Sequence, residues 1–160
     1  MGQFLIRLFS NYCLVAAICG WLLAQIFKVF TGIFKLQSFS VKALLFGTGG
    51  MPSSHTAAVT ALCTAIAIKE GVGSTLFALS AIFTIVVMID AMGVRRETGL
   101  QAKALNLIFS EWALDNEPEN FDRHFKELIG HTPLQVFCGA IVGIGTAFLL
   151  LLFPAFRGML

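Results

Sequence analysis

The stretch that decides the fold is "FCGAIVGIGTAFLLLLF", residues 137–153, which contains no charged side chain. A second stretch without charge spans residues 71–89. A helix that crosses the hydrocarbon core of a bilayer needs about 20 apolar residues. The whole chain is 57% hydrophobic and only 12% charged, whereas soluble domains average about 25% charged residues. These patterns predict an integral membrane protein.

The apolar segments predict an all-α fold, a polytopic membrane bundle of about four helices in a single domain that spans residues 1–160. The expected helices cover residues 11–27, 52–69, 74–91 and 133–153. Pro52 is expected at the first helical position, where its missing N–H costs nothing. A polar excursion at about 97–130 should precede the last helix. Its acidic part, residues 110–130, is predicted to contain a short amphipathic helix.

Antiparallel helices would bring polar residues from four separate stretches to one membrane face, here called face B; the opposite face is face A. The residues concerned are Lys28, Ser53, Ser54, His55, Asp90, Arg95, Arg96 and His131. Eight of the 11 lysines and arginines also fall on face B. Because basic residues favour the inner side of a membrane, face B is predicted to be cytoplasmic.

The residues of face B suit a multiply charged anion. A glycine-rich loop and the positive end of a helix offer backbone N–H groups to phosphate, and arginine and lysine offer fixed cations. The candidate phosphate-binding residues are Gly50, Ser53, Ser54, Lys28, Arg95 and Arg96. Two imidazoles, His55 and His131, meet the needs of phosphate-ester cleavage, since one can attack phosphorus while the other protonates the departing oxygen.

Three segments carry a resemblance to a known family: "GGMPSSHTAAV" (49–59), "DAMGVRRETGLQAKALN" (90–106) and "LIGHTPLQVFCG" (128–139). Together they resemble the divergent branch of the type 2 phosphatidic acid phosphatase superfamily, which also includes bacterial acid phosphatases and vanadium-dependent haloperoxidases. The resemblance implies that His55 is the general acid and that His131 is the nucleophile, which forms a phosphohistidine. It also implies that Lys28, with Arg95 or Arg96, holds the phosphate.

Three features depart from the superfamily pattern: Arg96 and His131 are 35 residues apart instead of six, Lys28 is followed by Lys35 and Leu36 instead of arginine and proline, and the aspartate four residues after the nucleophilic histidine is missing. This chain has Gln135 there. A glutamine can fix the tautomer of His131, but it cannot stabilise an imidazolium as a carboxylate does. The hypothesis for this chain is that Gln135 orients the ring and that Asp90 replaces the missing carboxylate.

The expected activity is hydrolysis of a lipid phosphate monoester or pyrophosphate, with a phospholipid or isoprenoid phosphate as substrate and the lipid bilayer as its surroundings. No metal or other cofactor is expected. The net charge of +2 is too small to suggest nucleic acid as a partner. Two alternatives are a non-catalytic anionic-lipid binder or transport component, and vanadate-dependent oxidation as in the haloperoxidases. The GxxxG pattern "GAIVG" (139–143) permits close helix packing, either within the chain or in a homodimer.

Overall fold

A computed structural model describes residues 2–33, 51–116, 125 and 130–158. Over these residues every regular element is helical, which confirms the all-α prediction. The helices are α1 (Gly2–Phe9), α2 (Tyr12–Ile33), α3 (Ser54–Glu70), α4 (Thr75–Met92), α5 (Val94–Asn116), α6 (Pro133–Leu150) and α7 (Pro154–Arg157).

The helices α2, α3, α4 and α6 pack together as a bundle. Within the described ranges, three stretches are long and apolar enough to cross a membrane: Tyr12–Phe30, Thr75–Glu111 and Pro133–Leu150. Helix α3 is shorter, with 17 residues, and it packs against α2, α4 and α6. The predicted number of about four therefore holds as an approximation.

Hydroxyl side chains set the starts of three helices. Ser53 is the N-cap of α3 and accepts a hydrogen bond from the Thr56 N–H, so Pro52 stands before the cap and is not the first helical residue. That expectation was wrong because Pro52 as the first helical residue would make Met51 the N-cap, and Met51 has no side-chain oxygen to accept from the first turn, whereas Ser53 has one. Ser74 caps α4 in the same way, and Thr132 caps α6.

Glycines allow α3 to pack closely between its neighbours. A Cβ atom added at Gly20 of α2 would lie 2.9 Å from the Ala57 carbonyl oxygen of α3. A Cβ at Gly139 of α6 would collide with the Ser53 carbonyl oxygen, at 2.5 Å, and one at Gly143 would collide with Thr60 and Ala57. Both glycines of the GxxxG pattern are thus used for packing within the chain.

The face A end of the bundle is a closed core. Tyr12 at the start of α2 is fully buried, and its hydroxyl donates to the Ala147 carbonyl of α6 at 2.8 Å. Ala16 and Ala65 pack around the same ring. This carbonyl belongs to the last turn of α6, where backbone acceptors lack partners from their own helix, so the tyrosine ties α2 to α6.

Helix α5 occupies the first part of the predicted polar excursion. It follows α4 directly, with Gly93 between the two helices. Farther along, the Asn106 side chain binds the backbone of Phe125 through two hydrogen bonds of 2.9 Å, and the rings of Phe109 and Phe125 stack. The short amphipathic helix expected at 110–130 lies mostly outside the described residues, and its first part is the end of α5.

Candidate active site

The ends of four helices meet at face B, where three hydrogen bonds join them. The Ser53 N–H donates to the Gln135 carbonyl at 3.0 Å, and the His131 N–H donates to the Ala91 carbonyl at 3.1 Å. Lys28 of α2 donates from Nζ to the Ser54 hydroxyl at 3.1 Å. The first bond joins the start of α3 to α6, the second joins the end of α4 to the residue before α6, and the third joins α2 to α3.

A cavity of about 370 Å³ opens at this end of the bundle. Its polar lining comes from His55 on α3, Asp90 on α4 and His131 before α6, so the structure brings these three predicted residues together. His131 is only 5% exposed, whereas His55 is exposed. The rest of the described lining is apolar and consists of Ala58, Val59, Phe83, Val86, Val87 and Ala91.

The hydrogen bonds of Gln135 define the tautomer of His131. The Gln135 Oε1 atom accepts from the Thr132 N–H at 3.0 Å and lies 3.1 Å from His131 Nδ1. An amide oxygen only accepts hydrogen bonds, so Nδ1 must carry the proton and Nε2 must carry the lone pair. Gln135 also completes the capping box of α6 with Thr132. The neutral ring therefore has the tautomer that a nucleophilic Nε2 requires.

The two serines differ in what they contact. Ser53 is fully buried, and its hydroxyl accepts from both the N–H and the hydroxyl of Thr56. Ser54, in the first turn of α3, accepts from Lys28. Ser54 precedes His55 in the chain and Lys28 contacts Ser54, but neither Ser54 nor Lys28 is among the described lining of the cavity. Phosphate binding by Ser53, Ser54 and Lys28 stays a prediction.

The two candidate arginines lie in the first turn of α5, directly after α4. The Arg96 side chain is exposed and is absent from the described cavity lining. For Arg95 only the backbone is described, so its part in the site stays a prediction. Gly50 lies outside the described residues.

Sequence reasoning missed two groups of residues. The first is Gly139. The sequence indicated a packing role for it, but not that it lies directly against the Ser53 carbonyl at the start of α3, two residues before His55. The second is the apolar wall of the cavity. Phe83, Val86 and Val87 share one face of α4 with Asp90, at a spacing of three, four and seven residues. That spacing was available in the sequence, but only the fold shows that this face borders a cavity and not lipid alone.

Comparisons with known proteins match nearly the whole chain. Residues 9–146 fit the family model described as the Divergent PAP2 family. The chain is also similar to the uncharacterized membrane protein YuiD of Bacillus subtilis (strain 168), with 40% identity over 147 residues, or 86% of this chain and 92% of that protein. No solved structure gives a match. The matched region contains every helix end that borders the cavity.

Proposed function

This chain belongs to the Divergent PAP2 family of membrane proteins, and on that premise we propose that its face B cavity is the active site of a lipid phosphatase. The observation that carries the proposal is that His55 and His131 line one cavity while Gln135 holds the proton of His131 on Nδ1. The substrate is a phosphate monoester or pyrophosphate of a lipid, and face B is the cytoplasmic face.

In the first step, the lone pair of His131 Nε2 attacks the phosphorus atom. The bond between phosphorus and the ester oxygen breaks, and protonated His55 gives its proton to the departing alcohol. A phosphohistidine remains on His131, whose Nδ1–H stays hydrogen-bonded to Gln135. The burial of His131 supports this role, because a fixed and mostly water-free ring reacts from a single geometry.

In the second step, a water molecule attacks the phosphohistidine. His55, now neutral, takes one proton from this water, and the bond between phosphorus and Nε2 breaks to release inorganic phosphate. The exposure of His55 supports this role, since its ring can meet water at the cavity mouth. Asp90 supplies the negative charge that stabilises an imidazolium in this cavity, a task for which the neutral Gln135 amide is unsuited.

The charge of the phosphate needs cations close to the two histidines. Lys28 is held at the N-terminal turn of α3 through Ser54, the residue before His55. The positive end of α3 adds to this charge. Arg95 or Arg96 completes the set in the proposal, as an arginine fork can bind two phosphate oxygens at once.

The test is phosphate release by the purified protein in mixed micelles with lipid phosphates. His131→Ala should lower turnover about 10³-fold or more, because no other group replaces the nucleophile. In a rapid-quench experiment with a labelled substrate, the wild type should carry acid-labile, base-stable phosphate, and His131→Ala should carry none. The matched control is His124→Ala, since the mechanism does not use the third histidine of the chain. Equal phosphate release by His131→Ala and the wild type would overturn the proposal.

A second candidate function is the binding of an anionic lipid without turnover, and Gln135 is the observation that favours it. Without a carboxylate partner, a histidine is a weaker nucleophile in the charged transition state. The same preparation separates the two functions. Retention of a lipid phosphate by wild-type protein, with no phosphate release above that of His131→Ala, would favour the binder.

A further inference from the structure

The cavity has two chemically different parts, which succeed one another along α3 and α4. His55, Asp90 and His131 form the end at face B. From Asp90 the wall continues through Val87 and Val86 to Phe83, two helical turns or about 10 Å farther from face B along α4. Ala58 and Val59 of α3 face the same space. The apolar part is here called the α3–α4 slot.

A hydrogen bond joins the two helices of the slot at its inner end, and two residues of its wall are exposed on the outside of the bundle. At the level of Phe83, the Thr84 hydroxyl donates to the Val59 carbonyl at 3.1 Å, which holds α4 against α3. Phe83 is 52% exposed and Val86 is 57% exposed. Both side chains therefore border the cavity and also face the bilayer, so that a hydrocarbon chain can enter sideways without crossing water.

The lining restricts the chemical group that a ligand can carry next to its phosphate. Beyond the three polar residues, the described lining has no hydrogen-bonding side chain. In a diacylglycerol phosphate, two ester carbonyls come within a few bonds of the phosphate, and burying them against apolar walls leaves them without partners. In an isoprenoid phosphate, hydrocarbon begins directly at the ester oxygen and meets apolar walls throughout.

Building on the proposed function, we infer that the α3–α4 slot binds one hydrocarbon chain attached directly to the phosphate, so that the substrate is a long-chain alcohol phosphate of the isoprenoid type and not a diacylglycerol phosphate. A lipid chain is already in hydrocarbon before it enters, so the slot gains little from the hydrophobic effect. It selects by shape and by the lack of polar partners. A side chain that fills the slot should therefore impair the enzyme more than one that enlarges it.

The test compares Val86→Trp with Ile85→Trp. The two positions are adjacent on α4, both carry β-branched residues and are similarly exposed, at 57% and 51%, but only Val86 lines the cavity. The assay measures phosphate release from farnesyl phosphate and from dioleoyl phosphatidic acid in matched micelles. The wild type should prefer farnesyl phosphate, and Val86→Trp should lower kcat/KM for it about 10-fold, mainly through KM. Ile85→Trp should stay within about two-fold of the wild type.

A wild-type preference for dioleoyl phosphatidic acid would overturn the inference, as would equal losses in the two tryptophan variants. Failure of the proposed function looks different: phosphate would be released from neither lipid nor from the soluble ester p-nitrophenyl phosphate. In that event, retention of radiolabelled farnesyl phosphate by the purified protein tests whether the α3–α4 slot binds the hydrocarbon chain. Retention that Val86→Trp weakens and Ile85→Trp leaves intact supports it, and equal retention by both variants contradicts it.

Discussion

The two ends of the bundle place their buried polar groups differently: face A closes around a single hydrogen bond, whereas face B leaves a cavity. At face A, α2 and α6 meet through Tyr12, whose hydroxyl binds the Ala147 carbonyl in a core of small apolar side chains. At face B, α3, α4 and the residue before α6 surround a cavity with two histidines and an aspartate. A buried polar group that finds its partner inside the fold stabilises the bundle. Polar groups gathered around open space are instead arranged for a ligand.

Glycine substitutions in α6 give the largest expected contrast between the two ends. Gly139→Ala would place a Cβ atom 2.5 Å from the Ser53 carbonyl oxygen and displace the start of α3, which carries His55. A shift of about 1 Å at a catalytic group can cost about 10²-fold in rate, so phosphate release per folded molecule should fall by this order. Gly143→Ala collides with α3 one turn farther from the cavity, and should reduce the yield of folded protein more than its specific activity.

The control for both variants is Gly145→Ala, because a Cβ atom there meets nothing within 4 Å. It should behave as the wild type in folding yield and in activity. Specific activity is measured after size-exclusion chromatography, so that only folded protein is compared. Equal specific activities of Gly139→Ala and Gly143→Ala would show that Gly139 has no special relation to the site.

Changes at Gln135 should have the next largest effect, since this residue belongs to both the cap of α6 and the proposed site. Gln135→Ala removes the acceptor of the His131 Nδ1 proton, and turnover should fall about 10-fold or more as the tautomer is no longer fixed. Gln135→Glu keeps an acceptor oxygen and adds a negative charge that stabilises the imidazolium. Its kcat should equal or exceed that of the wild type.

Gln135→Ala also removes one half of the capping box, which Gln135→Glu keeps. The melting temperature of Gln135→Ala must therefore be compared with that of Thr132→Ala, which removes the other half of the same box. A loss of kcat in Gln135→Ala that Thr132→Ala reproduces would assign the whole effect to capping. The orienting role of Gln135 would then be rejected.

Tyr12→Phe should have the smallest effect on activity and acts only at the face A end. It removes the hydroxyl that binds the Ala147 carbonyl, and a buried acceptor without a partner costs about 1–3 kcal/mol of stability. The variant should melt earlier than the wild type in the same detergent, while its specific activity stays unchanged. A large loss of specific activity would mean that the two ends are coupled through α2 or α6, and that they are not independent regions.

Much of the fold could be predicted from the sequence, because apolar length and helix caps are local properties. The charge-free stretches located α4 and α6 within a few residues. Antiparallel connection alone placed His55, Asp90 and His131 at the same membrane face, where the structure has them around one cavity. The predicted start of α3 was wrong because the sequence does not show that the Ser53 hydroxyl accepts from the Thr56 N–H, and this hydrogen bond sets the helix start after Pro52.

The sequence by itself determined the class of the protein, the course of its helices and the chemical types gathered at face B, since these depend on side-chain hydrophobicity and charge along the chain. Only the tertiary structure decided which groups touch. It placed the Ser53 carbonyl against Gly139, His131 Nδ1 within hydrogen-bond distance of the Gln135 side-chain oxygen, and an apolar slot next to the histidines. Such contacts join residues far apart in the chain, and they depend on distances of a few ångströms between packed helices, which no local pattern specifies.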